Sequence, residues 1–304
     1  MKVALVGARR TRNGIGPFIG NYFHRNDSQV VSLLGTSAET AASASTTLEE
    51  FGIKALPYTN FEEMIADQCP DSVVIASPSN THCGYLFKSL EAGMHVFCEK
   101  PFIVGESFDV NKALHDIFQL ASDQNLTVAM NSQWPFSLPY YEELCGTLDV
   151  HAIERFYMRS SPPFDGKEMI LESVPHALSL LYCTCGPGTI KNISVESGQE
   201  QMAIRFKYQA ESSFCNSYLN LTQQLFPPRN FSFGFNDRIV NRSVDLENYE
   251  IYFNHSQRTV KVVDPLDLSV QDFISAVRDK REPLIGKSHI INNTLLLNQI
   301  YESC

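Results

Sequence analysis

Short, unbroken apolar runs alternate with longer helix-forming stretches through the first 130 residues, and this alternation constrains the fold more than any other feature of the chain. Strands are expected at Val3–Val6, Gln29–Leu34, Ile53–Leu56, Asp71–Ala76, His95–Cys98 and Leu126–Met130. Between them the pattern predicts helices at Pro17–Arg25, Ala38–Phe51, from Asn60 onward, Cys83–Ala92 and Ser107–Gln124. A strand with no polar alternation is covered on both faces, and strands separated by helices pair in parallel. The expected result is a doubly wound α/β domain of the Rossmann type over residues 1–130, which binds ligands at the carboxyl ends of its strands.

The texture then changes. After a helix at Leu138–Cys145, residues 150–263 are mostly strand-like, with alternation in Ala203–Tyr208 and Tyr249–Phe253. One helical stretch, Met169–Cys183, interrupts them, and two helices, Val270–Asp279 and Ile290–Tyr301, close the chain around Pro283 and Gly286. Residues 131–304 therefore read as an α+β domain with an open, mostly antiparallel sheet whose final helices could pack back on the first. A chain of 304 residues suits two domains.

Charge narrows the partners. With 24 basic and 34 acidic side chains the net charge is −10, so nucleic acid and anionic membrane, which need a basic footprint, are not expected as partners. No apolar run approaches the roughly 18 residues of a membrane span. The opening run stops at Gly7, too short for a signal peptide. A cytoplasmic location is expected. In that compartment the eight cysteines, with no C-x-x-C pair, read as small buried hydrophobes, and neither a disulfide frame nor a metal site is expected.

Four stretches carry chemistry. The first, Gly7-Ala8-Arg9-Arg10-Thr11-Arg12-Asn13-Gly14-Ile15-Gly16, follows a strand and opens a helix, the context of a dinucleotide-binding turn. Glycines there let the backbone approach a pyrophosphate, and the helix N-terminus attracts it. The spacing is longer than G-x-G-x-x-G and includes three arginines. The second is the end of the next strand, Leu34-Gly35-Thr36-Ser37. An NAD site wants a carboxylate there for the ribose 2′-hydroxyl. Thr36 and Ser37, with Arg9 or Arg10 in reach, favour NADP(H) over NAD(H), although either hydroxyl could simply cap the following helix.

The third stretch is Ala76-Ser77-Pro78-Ser79-Asn80-Thr81-His82 together with Gly93-Met94-His95-Val96-Phe97-Cys98-Glu99-Lys100-Pro101. Lys100 closes a strand, where it could hydrogen-bond a substrate oxygen or pass a proton. The fourth, Glu172-Ser173-Val174-Pro175-His176, puts a carboxylate and an imidazole four residues apart on one helix face. Pro175 predicts that this helix begins or kinks just before His176.

The Gly-Met-His-Val-Phe-Cys-Glu-Lys-Pro segment resembles the signature of the glucose–fructose oxidoreductase / inositol dehydrogenase (Gfo/Idh/MocA) superfamily. Ser77–His82 is similar to the family's Pro-x-x-x-His segment, and Phe273–Arg278 to its C-terminal helix. Asn131-Ser132-Gln133-Trp134 is similar to an Asn-x-Arg segment, with Gln133 in place of the basic residue. The resemblance implies a nicotinamide beside Lys100, an often cis Lys-Pro peptide, and cofactor contacts from Ser77, Pro78, Glu99 and Asn131. It also implies an Asp-x-x-x-His acid/base pair, here with Glu172 for the aspartate and His176 for the histidine. The expected protein is an NADP(H)-dependent oxidoreductase moving a hydride to or from a carbonyl, imine or secondary alcohol of a small sugar-like or cyclic substrate. Lys100 would bond the reacting atom, His176 would move the proton and Glu172 would orient His176. The longer glycine loop keeps open a non-catalytic regulator of the same fold, and the open sheet is expected to support a homodimer or homotetramer. Trp134 either walls the pocket or packs between domains, and Tyr140 and Tyr141 could reach it. Arg155, Arg159, Arg205, Arg229, Arg238 and Arg242 could hold an anion, though most read as a solvated strand face. Leu225–Phe235 reads as an interface or a lid.

Overall fold

The computed structural model describes residues 1–8, 14–105, 108–211 and 213–304. These divide into two units, Met1–Asn131 with Leu266–Ile290, and Ser132–Pro265 with Ile291–Cys304.

The first unit is built on six parallel strands, β1 (Lys2–Val6), β2 (Gln29–Leu34), β3 (Leu56–Tyr58), β4 (Ser72–Ile75), β5 (His95–Glu99) and β6 (Val128–Asn131), ordered β3-β2-β1-β4-β5-β6. Helices α1 (Gly16–Arg25), α2 (Ala38–Glu49), α3 (Phe61–Gln68), α4 (His82–Glu91) and α5 (Val110–Asp123) connect them. The unbroken apolar runs are central strands: Val73, Val74, Ile75, Val96, Phe97 and Cys98 are wholly buried. Two boundaries differ from expectation. Ile53 and Ala55 are buried without forming a strand, and β3 begins at Leu56, pairing Pro57 with Leu33 at the sheet edge, where a missing N–H is tolerated. Helix α5 starts at Val110, later than Ser107, because Asp109 caps it, its carboxylate accepting from Lys112 N at 3.1 Å. Asp109→Ala should cost about 1 kcal/mol of stability, read from the urea midpoint.

Helix α8 (Pro265–Asp279) belongs almost wholly to this unit. Its Phe273 packs against Phe23 and Phe97, with ring centroids 5.9 and 5.4 Å away. After it, His289 is buried and pulled down to about pKa 3 by desolvation, which the backbone at Leu284 partly opposes. The folded chain thus keeps His289 neutral where the unfolded chain protonates near pH 6.5. Stability contributed by the neutral imidazole is complete above pH 6.5 and lost as pH falls, by up to about 1.4 kcal/mol per unit. Urea midpoints between pH 7.5 and 5 should fall with pH, and less steeply in His289→Gln.

The second unit holds an eight-stranded sheet, ordered β14-β13-β12-β11-β7-β10-β9-β8. Its strands are β7 (Arg155–Ser160), β8 (Gly188–Ser197), β9 (Gln201–Ala210), β10 (Phe214–Thr222), β11 (Phe231–Phe235), β12 (Arg238–Asp245), β13 (Glu250–His255) and β14 (Arg258–Val262). Every ladder is antiparallel except β7 with β10. Burial alternates strictly along β10, so one face meets the core and the other is open. Helices α6 (Leu138–Cys145), α7 (Glu168–Cys185) and α9 (Lys287–Glu302) contribute Tyr141, Leu178, Leu181, Leu297 and Ile300 to that core. Strand β11 is buried throughout, so the aromatic stretch ends in a core strand and leaves only residues 225–228 and 230 exposed. Helix α7 begins at Glu168 and runs through Pro175 without stopping, which corrects the expected start before His176. Packing of its apolar residues on both sides of Pro175 outweighs the lost hydrogen bond.

The cysteines do not all read as expected. Cys98 and Cys215 are buried, whereas Cys69 and Cys304 are exposed. Cys69 occupies the left-handed C-cap of α3 (φ 45°), where the chain turns outward.

Candidate functional site

In the first unit the candidate residues come from the carboxyl ends of the strands. After β1, Gly7 adopts φ +93°, and a Cβ on it would lie 2.5 Å from Ser77 N. A Cβ on Gly16, at the start of α1, would lie 2.2 Å from Gly7 O. Strand end and helix start therefore pack backbone to backbone, the close approach that only glycine allows. Gly14 lies just before α1, and Arg9, Arg10 and Arg12 lie outside the described residues. After β2, Ser37 is the N-cap of α2: its Oγ accepts from Thr40 N at 3.3 Å, and Thr40 Oγ1 accepts from Ser37 N at 2.9 Å. Thr36 Oγ1 is 3.3 Å from Thr40 Oγ1, and Glu39 is the acidic group in this first turn.

After β4, Ser77 and Pro78 lead into a single 3-10 turn, Ser79–Thr81, with Ser77 Oγ 2.6 Å from Thr81 Oγ1. His82 follows, almost wholly buried. Its Nε2 is 2.8 Å from Ser77 O and its Nδ1 is 2.9 Å from Pro101 O. Desolvation pushes its pKa down, against those carbonyls. His82 thus ties the loop after β4 to the loop after β5, which carries the half-buried Lys100 on a cis Lys100–Pro101 peptide. The pattern Pro-x-x-x-His pointed to His82, but only the geometry shows what it holds.

Glu99 and Asn131 are paired residues of β5 and β6, both buried, and Asn131 Nδ2 donates to Glu99 Oε1. Asn131 Oδ1 is buried with no hydrogen-bond partner. A buried amide oxygen left without a donor is unfavourable unless a ligand supplies one.

In the second unit, α7 carries Glu172 and His176 one turn apart, both half-buried. Ser132, which the sequence did not single out, lies fully buried with Oγ 3.1 Å from His176 Nδ1 and donating to Pro175 O at 3.4 Å. A hydroxyl that gives its one proton to Pro175 accepts from Nδ1–H, leaving the lone pair on Nε2. Asn293 of α9 braces the same turn, donating to Pro175 O at 2.8 Å and Ser179 Oγ at 2.9 Å.

Trp134 is buried, stacked on Phe231 at 3.9 Å between centroids, with the His176 ring edge-on at 6.5 Å. Tyr141 is a core residue whose hydroxyl donates to Arg238 O at 2.7 Å and accepts from Phe235 N at 3.1 Å. Of the arginines, Arg155 and Arg205 form exposed ion pairs with Asp237 and Glu196. Arg159 and Arg238 are exposed, while Arg229 and Arg242 are half-buried. Among the described residues no group of three or more His, Cys, Asp or Glu side chains is arranged to hold a metal.

These features define a class: a doubly wound α/β unit in the same chain as a second unit with an open sheet and a half-buried histidine on its longest helix. Residues 1–132 match the model of the GFO_IDH_MocA oxidoreductase family, described by its NAD-binding Rossmann fold. An uncharacterized oxidoreductase of Schizosaccharomyces pombe is 37% identical over 81 residues, 26% of this chain and 21% of that protein. A scyllo-inositol 2-dehydrogenase (NADP(+)) of Bacillus subtilis is 31% identical over 121 residues, 39% of this chain and 33% of that protein. The chain thus matches about a fifth to a third of the length of these relatives. In fold, it is similar over its whole length to the UDP-N-acetylglucosamine 3-dehydrogenase of Acidithiobacillus ferrooxidans, covering 97% of that chain with a TM-score of 0.73 at 18% identity. No helix among the described residues is long and apolar enough to cross a membrane.

The residues present fit a nicotinamide dinucleotide. Gly7 and Gly16, packed backbone to backbone, would let a pyrophosphate approach the start of α1, and the buried, unpartnered Asn131 Oδ1 beside Glu99 would accept from a donor of the cofactor.

Proposed function

We propose that this chain is an NADP(H)-dependent oxidoreductase that moves a hydride between nicotinamide C4 and a carbonyl, imine or secondary-alcohol carbon of a small sugar-like or cyclic molecule. One observation carries the reading: Glu99, Lys100 and Asn131 stand together at the carboxyl ends of adjacent strands β5 and β6 within the family match. When bound, the dinucleotide supplies the hydride chemistry. Gly7, Gly14, Gly16, Arg9 and Arg10 hold its phosphates, Thr36 and Ser37 its adenosine end, and Ser77, Pro78, Glu99 and Asn131 its nicotinamide end. The absence of a carboxylate at Leu34–Ser37 supports NADP(H) over NAD(H). Lys100 hydrogen-bonds the reacting oxygen or nitrogen, and His176, oriented through Ser132 and assisted by the charge of Glu172, moves the proton. Substrates such as the cyclitol of the Bacillus relative and the amino sugar of the structural neighbour fit that chemistry.

Titrating NADPH and NADH by nicotinamide fluorescence, followed by a carbonyl and cyclitol panel read at the NADPH absorbance, tests the reading. Tighter NADPH binding and turnover of a panel member are expected, and failure to bind either nucleotide would sink it. The proposal extends to a cytoplasmic homodimer or homotetramer formed through the open face of the eight-stranded sheet. Phe214 is 51% exposed there, beneath Lys207 at 4.1 Å, and Tyr218 is 41% exposed. Sedimentation of the purified protein as a monomer would refute that assembly.

A further inference from the structure

Arg242 and Arg229 behave unlike the ion-paired arginines among the described residues. Arg155, Arg205, Arg278 and Arg281 each lie within 2.9 Å of a carboxylate. Among the described residues, neither Arg229 nor Arg242 comes within ion-pair distance of one, although both are half-buried. The Arg242 guanidinium lies over the Trp134 ring at 5.6 Å, and its Nη2 donates to Arg229 O at 2.5 Å. Its Nε is buried without a partner. Arg229 uses Nε and Nη2 on the carbonyls of Gln224 and Leu225, at 3.1 and 3.4 Å, which holds it against its own loop.

The electrostatic setting is incomplete. Burial disfavours the charge on both groups. Glu172 partly restores it on Arg229, while Tyr249 and Asp264 do so on Arg242, where Arg229 itself adds repulsion. Two guanidinium groups near enough to repel, partly desolvated and short of direct carboxylate partners, are stabilised by an anion that accepts from both. The pair also adjoins the proposed reaction centre, since Arg242 and His176 lie against the same indole and Arg229 feels the charge of Glu172.

We infer that Arg242 and Arg229 form an anion subsite against Trp134, so that the substrate carries a carboxylate or phosphate as well as its reacting carbon. This rests on the dehydrogenase reading for the role of His176, but the subsite stands on the second unit alone. Arg242 bonds the anionic group and Trp134 supports the ring or chain beside it. Arg229 fixes the loop wall and adds charge.

Trp134 is the one tryptophan of the chain, so its emission reports on this subsite directly. The protein, with and without NADP+, is titrated with glucuronate, glucose 6-phosphate and glucose at constant ionic strength set by KCl. A saturable change is expected with at least one of the two acids and none with glucose, and whichever acid responds identifies the preferred group. Arg242→Met should weaken that binding about tenfold or more, Arg242→Lys less, and Arg229→Gln by several-fold. Circular dichroism and the NADPH dissociation constant confirm that each variant is folded. No saturable response to either acid, an equal response to glucose, or unchanged binding in folded Arg242→Met and Arg229→Gln would overturn the subsite. Acid binding without nucleotide binding would instead sink the dehydrogenase reading and leave the subsite standing.

Discussion

Lys100→Ala and His176→Ala should each lower turnover by about 10²–10⁴-fold, the range contributed by a positioned acid or base. NADPH binding should change little, because neither side chain is assigned to the phosphates or the adenosine. The two differ in role: His176 is assigned to proton transfer and Lys100 to the hydrogen bond on the reacting atom, so losing His176 should flatten a limb of the kcat–pH profile, whereas losing Lys100 should leave that limb and reduce its height. Ser132 separates orientation from chemistry. Its Oγ is 3.1 Å from His176 Nδ1, so Ser132→Ala should move the limb while keeping more turnover than His176→Ala, with Ser132→Thr closer to the native profile. Full activity in both the Lys100 and His176 variants would refute the assignment.

Gly7→Ala should have the largest structural effect of any single methyl addition at the nucleotide turn. Its Cβ would stand 2.5 Å from Ser77 N and 2.6 Å from Ala76 C on a backbone at φ +93°. Strain and overpacking together should cost about 3–5 kcal/mol. Gly16→Ala meets Gly7 O at 2.2 Å without a positive φ, so it should cost less stability. Both should weaken NADPH binding by about a hundredfold or more, since the turn proposed to present amides to the pyrophosphate must shift. Urea unfolding and fluorescence titration measure the two effects separately. Native affinity in a folded Gly16→Ala protein would remove the dinucleotide from this turn.

Much of the fold was legible because its signals are local. Runs such as Val73–Ile75 and Val96–Cys98 are apolar without alternation, and only a central parallel strand buries both faces of such a run. Small errors arose where capping or edge position decided the outcome, at Asp109 and at Pro57. The parallel pairing of β7 with β10 has no local signal, since Arg155 and Asn216 meet across some sixty residues of intervening chain.

The site divided along the same line. Lys100 and His176 sit in short patterns, while Ser132 gained its part only when Pro175 and His176 were brought to it. Arg242 looked like any alternating-strand arginine until Trp134, far away in sequence, lay beneath it. Pattern reading finds residues whose neighbours in sequence are also their neighbours in space.

The allocation of α8 to the first unit has a practical consequence. The chain crosses between units after Asn131, after Pro265 and after Ile290, so no single cut yields two intact pieces. A fragment ending at residue 131 would expose the surfaces of Phe23 and Phe97 that Phe273 covers, and should aggregate or remain loosely packed. Supplying Leu266–Ile290 as a separate peptide should restore a cooperative unfolding transition, which makes the nucleotide-binding unit a candidate for fragment complementation, not truncation.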